Sequence, residues 1–81
     1  MNQKQANHVL VQIAKSKGFT NGGPDFEFRG ERFAIMTDSG TGEEIVDKLI
    51  DRGDGSYELF GVDPVVLLSQ WGADPELKKL D

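Results

Sequence analysis

"TGEEIVDKLIDRGDGSYELFG", residues Thr41 to Gly61, decides the fold, because its letters satisfy two periodicities. Ile45, Val46, Leu49 and Ile50 recur at helical spacing, and Thr41 with Glu44 has the form of a capping box. Against a helix, β-branched residues are frequent, and "DSGTG" before the segment and "RGDG" after it both read as reversals between strands. The strand reading is favoured. With Arg52 to Gly55 as a four-residue loop, Asp51 faces Ser56, Ile50 faces Tyr57 and Lys48 faces Leu59. Val46, Ile50, Tyr57 and Leu59 then share one face.

Upstream, "DFEFRGERFAIMTD" alternates apolar and polar residues. A two-residue turn at Gly30-Glu31 pairs Phe28 with Phe33 and Phe26 with Ile35, placing all four on one face. Residues 25–61 are thus expected to form a four-stranded antiparallel meander.

The tripeptide Arg52-Gly53-Asp54 invites an adhesion or a metal reading, and both fail on context. Nothing in "MNQKQANHVL" has the basic start and apolar stretch of a secretory signal, and a cytoplasmic setting is expected. Aligning Asp54-Gly55 with the end of a calcium-loop pattern puts Ile50 at the first ligand position, where it cannot serve. Asp51-Arg52-Gly53-Asp54-Gly55-Ser56-Tyr57 resembles the hairpin signature of filamin-type immunoglobulin repeats. The resemblance covers seven residues and implies only that such a segment joins two antiparallel strands.

Helices are expected on either side of the meander. From Gln3 to Lys17, Ala6, Val9, Leu10 and Ile13 fall on one side and Gln5, Asn7, His8 and Gln12 largely on the other. Asn2 suits its start, and Gly18-Phe19 has the form of a glycine-terminated end. "TNGGP", Thr20 to Pro24, is a loop. Asp63-Pro64 and Asp74-Pro75 each pair a capping residue with one pre-set for the first helical turn. The first opens a helix from Pro64 to Trp71 that stops at Gly72; the second opens a helical tail of about one and a half turns. The expected fold is α+β: N-terminal helix, four-stranded antiparallel meander, C-terminal helix and short helical tail, in a single small domain spanning residues 1–81.

The 81 residues contain no cysteine, so stability has to come from apolar packing and backbone pairing. The net charge of −5 is lopsided: residues 1–40 carry five basic and four acidic side chains, residues 41–81 four and ten. An acidic field disfavours direct nucleic-acid binding and favours a basic partner. No apolar run approaches the roughly 20 residues of a membrane span.

Catalytic and cofactor signals are absent from the pattern. His8, the sole histidine, lies on the polar side of its helix with no nucleophile at a fixed spacing. "SGTGEE" lacks the Lys-Ser/Thr of a phosphate loop, and Asp47 with Asp51 reads as solvated charge. No enzyme, cofactor or metal site is expected. The expectation is a small acidic protein-interaction module docking on a basic protein surface. The alternatives are a virus-type inhibitor that imitates nucleic-acid charge and, below it, a small enzyme or ligand carrier. The expected contact residues are Glu43, Glu44, Asp47, Asp51, Asp54 and Glu58, clustered at one end and edge of the meander, with Phe60 as an apolar anchor and Trp71 either the keystone of the helix-to-sheet core, the favoured reading, or a partly exposed anchor. Phe60, Ala34 and Met36 are assigned to the sheet face away from the core, which a partner or a second copy of the chain could cover.

Overall fold

The structure, a computed structural model, describes residues 1–80. Helix α1 spans Gln3–Ser16, and both its ends are closed by local chemistry. The Asn2 side chain accepts from the Gln5 N–H at 2.8 Å while the Gln5 side chain accepts from the Asn2 N–H at 3.1 Å, so two otherwise orphaned donors are satisfied reciprocally. At the other end Gly18 adopts φ +97°, and the N–H groups of Gly18 and Phe19 donate to the carbonyls of Lys15 and Ala14. That is a Schellman closure, and it turns Phe19 back into the core, where it is 4% exposed. The buried stripe is Ala6, Leu10, Val11 and Ala14, while Val9 and Ile13 are half-buried. Asn7 leaves the expected polar side, because its amide donates to the Glu44 carbonyl at 2.8 Å and ties the helix to the sheet.

The strands are β1 (Phe26–Phe28), β2 (Glu31–Thr37), β3 (Glu44–Asp51), β4 (Tyr57–Gly61) and β5 (Lys78–Lys79). They form one antiparallel sheet in the order β4-β3-β2-β1-β5, so the strand reading of residues 44–51 holds. The first hairpin differs from expectation: its turn is Arg29-Gly30, with Phe28 opposite Glu31 and Phe26 opposite Phe33. Both turn residues have positive φ, 51° and 82°, as the tight mirror-image turn requires, and Gly30 meets that demand at the second position. A shift of two residues preserves the alternation, so Phe26, Phe28, Phe33 and Ile35 still share a face.

The β3–β4 register differs by one residue, and there the consequence is larger. Asp51 lies opposite Tyr57, Ile50 opposite Glu58, Leu49 opposite Leu59 and Lys48 opposite Phe60. The loop holds one residue more than expected, Arg52 to Ser56, and is closed by the Arg52 N–H donating to the Ser56 carbonyl at 3.1 Å. Within it Asp51 accepts from the Gly53 N–H, Asp54 accepts from the Ser56 N–H and hydroxyl, and Gly53 and Gly55 take φ +85° and +88°. Two consecutive aspartate-capped turns need the fifth residue. The odd slip moves Tyr57 and Leu59 to the face opposite Val46 and brings Phe60 to the helix side, correcting the expected placement of all three.

Helix α2 runs Pro64–Trp71, with Asp63 accepting from the N–H groups of Val65 and Val66 and Gly72 closing its end. The expected helical tail after Asp74 is replaced by β5. The Asp74 carboxylate is taken by Lys17, Pro75 is buried, and Lys78 and Lys79 pair with Glu27 and Phe26. So few residues do not repay helix nucleation, whereas the open edge of β1 offers ready-made partners, including the Asp25 carbonyl for the Leu80 N–H at 2.9 Å.

Both helices pack on one sheet face. The core unites Leu10, Val11, Ala14 and Phe19 with Phe26, Phe28, Phe33, Ile35 and Val46 of the strands and Leu67 and Trp71 of α2. Phe26 is its centre, fully buried, with ring centroids of Phe19, Phe33 and Trp71 at 4.7, 6.1 and 5.9 Å. Each such side chain contributes about 1.5–3 kcal/mol by leaving water.

Candidate functional site

Every strand residue in that core belongs to the helix side of the sheet, which leaves the other side without a covering helix among the described residues. The registers place Arg32, Ala34 and Met36 of β2, Ile45, Asp47, Leu49 and Asp51 of β3, and Tyr57, Leu59 and Gly61 of β4 on this second face. Arg32 lies at one end of it, 2.7 Å from the Asp25 carboxylate and with its guanidinium 4.6 Å from the Tyr57 ring centroid. Asp47 sits between Ala34 and Gly61, which offer little bulk, yet it is only 9% exposed. Burial raises its carboxyl pKa above the ordinary aspartate value, and the nearby Asp38 charge adds to the rise.

Strand β4 forms one edge of the sheet, and all five of its residues are exposed. The Arg52 N–H to Ser56 carbonyl bond fixes the phase of the β3–β4 ladder. Hydrogen-bonded and non-hydrogen-bonded pairs alternate, so Ile50–Glu58 and Lys48–Phe60 are the bonded pairs. The Asp38 N–H donating to the Glu43 carbonyl sets a phase on the β2–β3 ladder that agrees with this on β3. The N–H and C=O groups of Tyr57, Leu59 and Gly61 therefore point away from the sheet. Apolar side chains flank this free edge on both faces, with Tyr57 and Leu59 39% and 51% exposed on one and Phe60 41% exposed on the other. Natural edge strands are normally blunted by lysine, proline, bulges or a covering loop, whereas here Glu58 is the strand's one charge.

The acidic residues expected to act together are dispersed. Glu43 and Glu44 lie at the start of β3, ion-paired with Lys4 and Lys15, while Asp51 and Asp54 lie at its far end, about 24 Å away at strand rise. Asp54 spends its carboxylate within the loop, and the Ser56 hydroxyl and N–H lower its pKa. Glu58 is on the helix side, 4.0 Å from Arg52, and Asp47 is on the opposite face. Phe60 is exposed as expected, and Trp71, 4% exposed against Phe26, Phe28 and Phe33, is the core keystone of the favoured reading and no anchor. Tyr57 and Leu59 escaped the sequence reading as contact residues. The signal available was "SYELFG" itself, a strand with apolar side chains on both faces and no guarding lysine or proline.

An open concavity of about 800 Å³ beside α1 is lined by Lys4, His8, Val9 and Gln12 together with Glu43 and Glu44. Its half-buried polar residues are Asn7, whose amide donates to the Glu44 carbonyl, and Glu44, whose carboxylate is paired with Lys15, so it offers no convergent donors for a small ligand. Among the described residues no group of three or more histidine or carboxylate side chains converges as metal ligands do, and no helix is long and apolar enough to cross a membrane. No protein-family model matches the chain, and no curated protein or solved structure shows significant similarity to it.

Proposed function

We propose that the protein is a non-enzymatic, cytoplasmic interaction module that docks on another protein by accepting a β-strand along β4. The observation that carries this reading is the free edge itself. Three outward-facing residues at two-residue spacing, Tyr57, Leu59 and Gly61, offer backbone donors and acceptors in the pattern that an extended chain pairs with. Exposed Phe60 on one side and Leu59 with Tyr57 on the other supply apolar contact for alternate side chains of the incoming strand. Asp51 and Asp54, at the loop end of the edge, favour a basic residue there on the partner. Imitation of nucleic-acid charge draws less support, because the carboxylates are dispersed and six of them are ion-paired.

A photo-crosslinking side chain at position 59, compared with one at Gln12 on the exposed side of α1, tests the reading in lysate of the native host. Capture of a partner from position 59 and not from position 12, lost when Phe60→Lys is added, is the expected result. Equal capture from both positions, or capture from position 12 alone, overturns it.

A further inference from the structure

We infer that a second copy of this chain occupies the β4 edge, pairing antiparallel with β4 about a two-fold axis at Leu59. This rests on the strand-docking reading above, without its preference for a basic partner, and names one occupant for the same edge. The free backbone groups belong to residues 57, 59 and 61, whose pattern is symmetric about residue 59. A two-fold axis there sets Leu59 opposite Leu59 of the other copy and Tyr57 opposite Gly61 of the other copy. It is the one antiparallel register that pairs all five residues of β4, and each of these facing pairs can exchange both of its backbone hydrogen bonds.

Side-chain chemistry agrees with this register. Glu58 is the strand's only charge, and it falls opposite Phe60 of the copy instead of opposite its own equivalent. A register centred on Glu58 would face two carboxylates across the axis, which is unfavourable. Tyr57 falls opposite Gly61 of the copy, so no facing side chain crowds its ring, which already lies against the Arg32 guanidinium of its own sheet. On the second sheet face Leu49 already lies opposite Leu59, so the row continues as Leu49, Leu59, then Leu59 and Leu49 of the copy. Opposing the association is the charge of −5 on each copy. Added salt therefore strengthens the dimer, whereas it would weaken docking that depended on opposite charges.

The chain has no cysteine, so introduced ones report unambiguously. Sedimentation equilibrium of the full chain from low micromolar to submillimolar concentration should show a monomer–dimer equilibrium that shifts toward dimer in high salt and disappears in Leu59→Lys, whose far-ultraviolet spectrum stays native. Oxidising an equal mixture of Glu58→Cys and Phe60→Cys chains should give the mixed disulfide well beyond the two-to-one ratio over each symmetric one that random pairing yields. A monomer at every concentration overturns the inference, and symmetric disulfides in statistical proportion overturn the register. If the chain is monomeric yet position 59 still captures another protein, the second copy is wrong and the docking reading stands; if neither occurs, both fail.

Discussion

Leu49 stands directly opposite Leu59 across the β3–β4 ladder. This single pairing sends Tyr57, Leu59 and Gly61 to the face without helices, turns their backbone groups outward, and leaves Phe60 beside the helical layer. An edge with apolar flanks on both sides follows from one extra loop residue.

Because Leu59 is 51% exposed and lies outside the core cluster, Leu59→Lys should change stability by no more than about 0.5 kcal/mol while removing strand docking. Urea unfolding and a binding or sedimentation assay on the same sample separate the two effects.

Asp47 carries a raised pKa from burial and from Asp38. The folded chain therefore holds this proton over a window in which the unfolded chain releases it. The stability so gained is present below the ordinary aspartate value and is lost as pH rises through the folded value. Asp47→Asn, which stays neutral, should unfold at a higher temperature than the parent at pH 7, with the difference shrinking as the pH is lowered. Thermal unfolding across that range checks the sign.

Trp71 joins three phenylalanine rings to α2, and its indole N–H is buried with no hydrogen-bond partner among the described residues. Trp71→Ala should cost about 3–5 kcal/mol by leaving a cavity. Trp71→Phe keeps an aromatic ring and removes the unpaired donor, so denaturant unfolding should show it losing less than half as much.

Among the described residues Arg29 is the one other than glycine with positive φ, at 51°, in the β1–β2 turn. Asparagine tolerates that conformation better, although the guanidinium also lies 5.0 Å from the Phe28 ring centroid. With the two effects partly offsetting, Arg29→Asn should stabilise by about 0.5 kcal/mol and Arg29→Val should destabilise, as urea midpoints would show.

The elements were legible where local chemistry is decisive. Asn2, Gly18, Asp63 and Gly72 mark helix ends whose caps form without help from the rest of the chain. The core face of β1 and β2 also survived a misplaced turn, because a two-residue slip leaves the alternation intact. What could not be read was anything settled between distant residues. Loop length after Asp51 depends on how Asp51 and Asp54 spend their carboxylates, and that choice inverts β4. Likewise Asp74-Pro75 has the form of a helix start, but Lys17 and the open edge of β1 compete for its residues and win. The interaction surface was half visible: Phe60 was identified, whereas Tyr57 and Leu59 had been assigned to the core face.

Amide hydrogen exchange along β4 tests the account most directly. In dilute solution Glu58 and Phe60 should exchange slowly while Tyr57, Leu59 and Gly61 exchange fast, and raising the protein concentration should slow those three alone. The reverse alternation, or fast exchange at Glu58 and Phe60, would contradict the register on which the free edge depends.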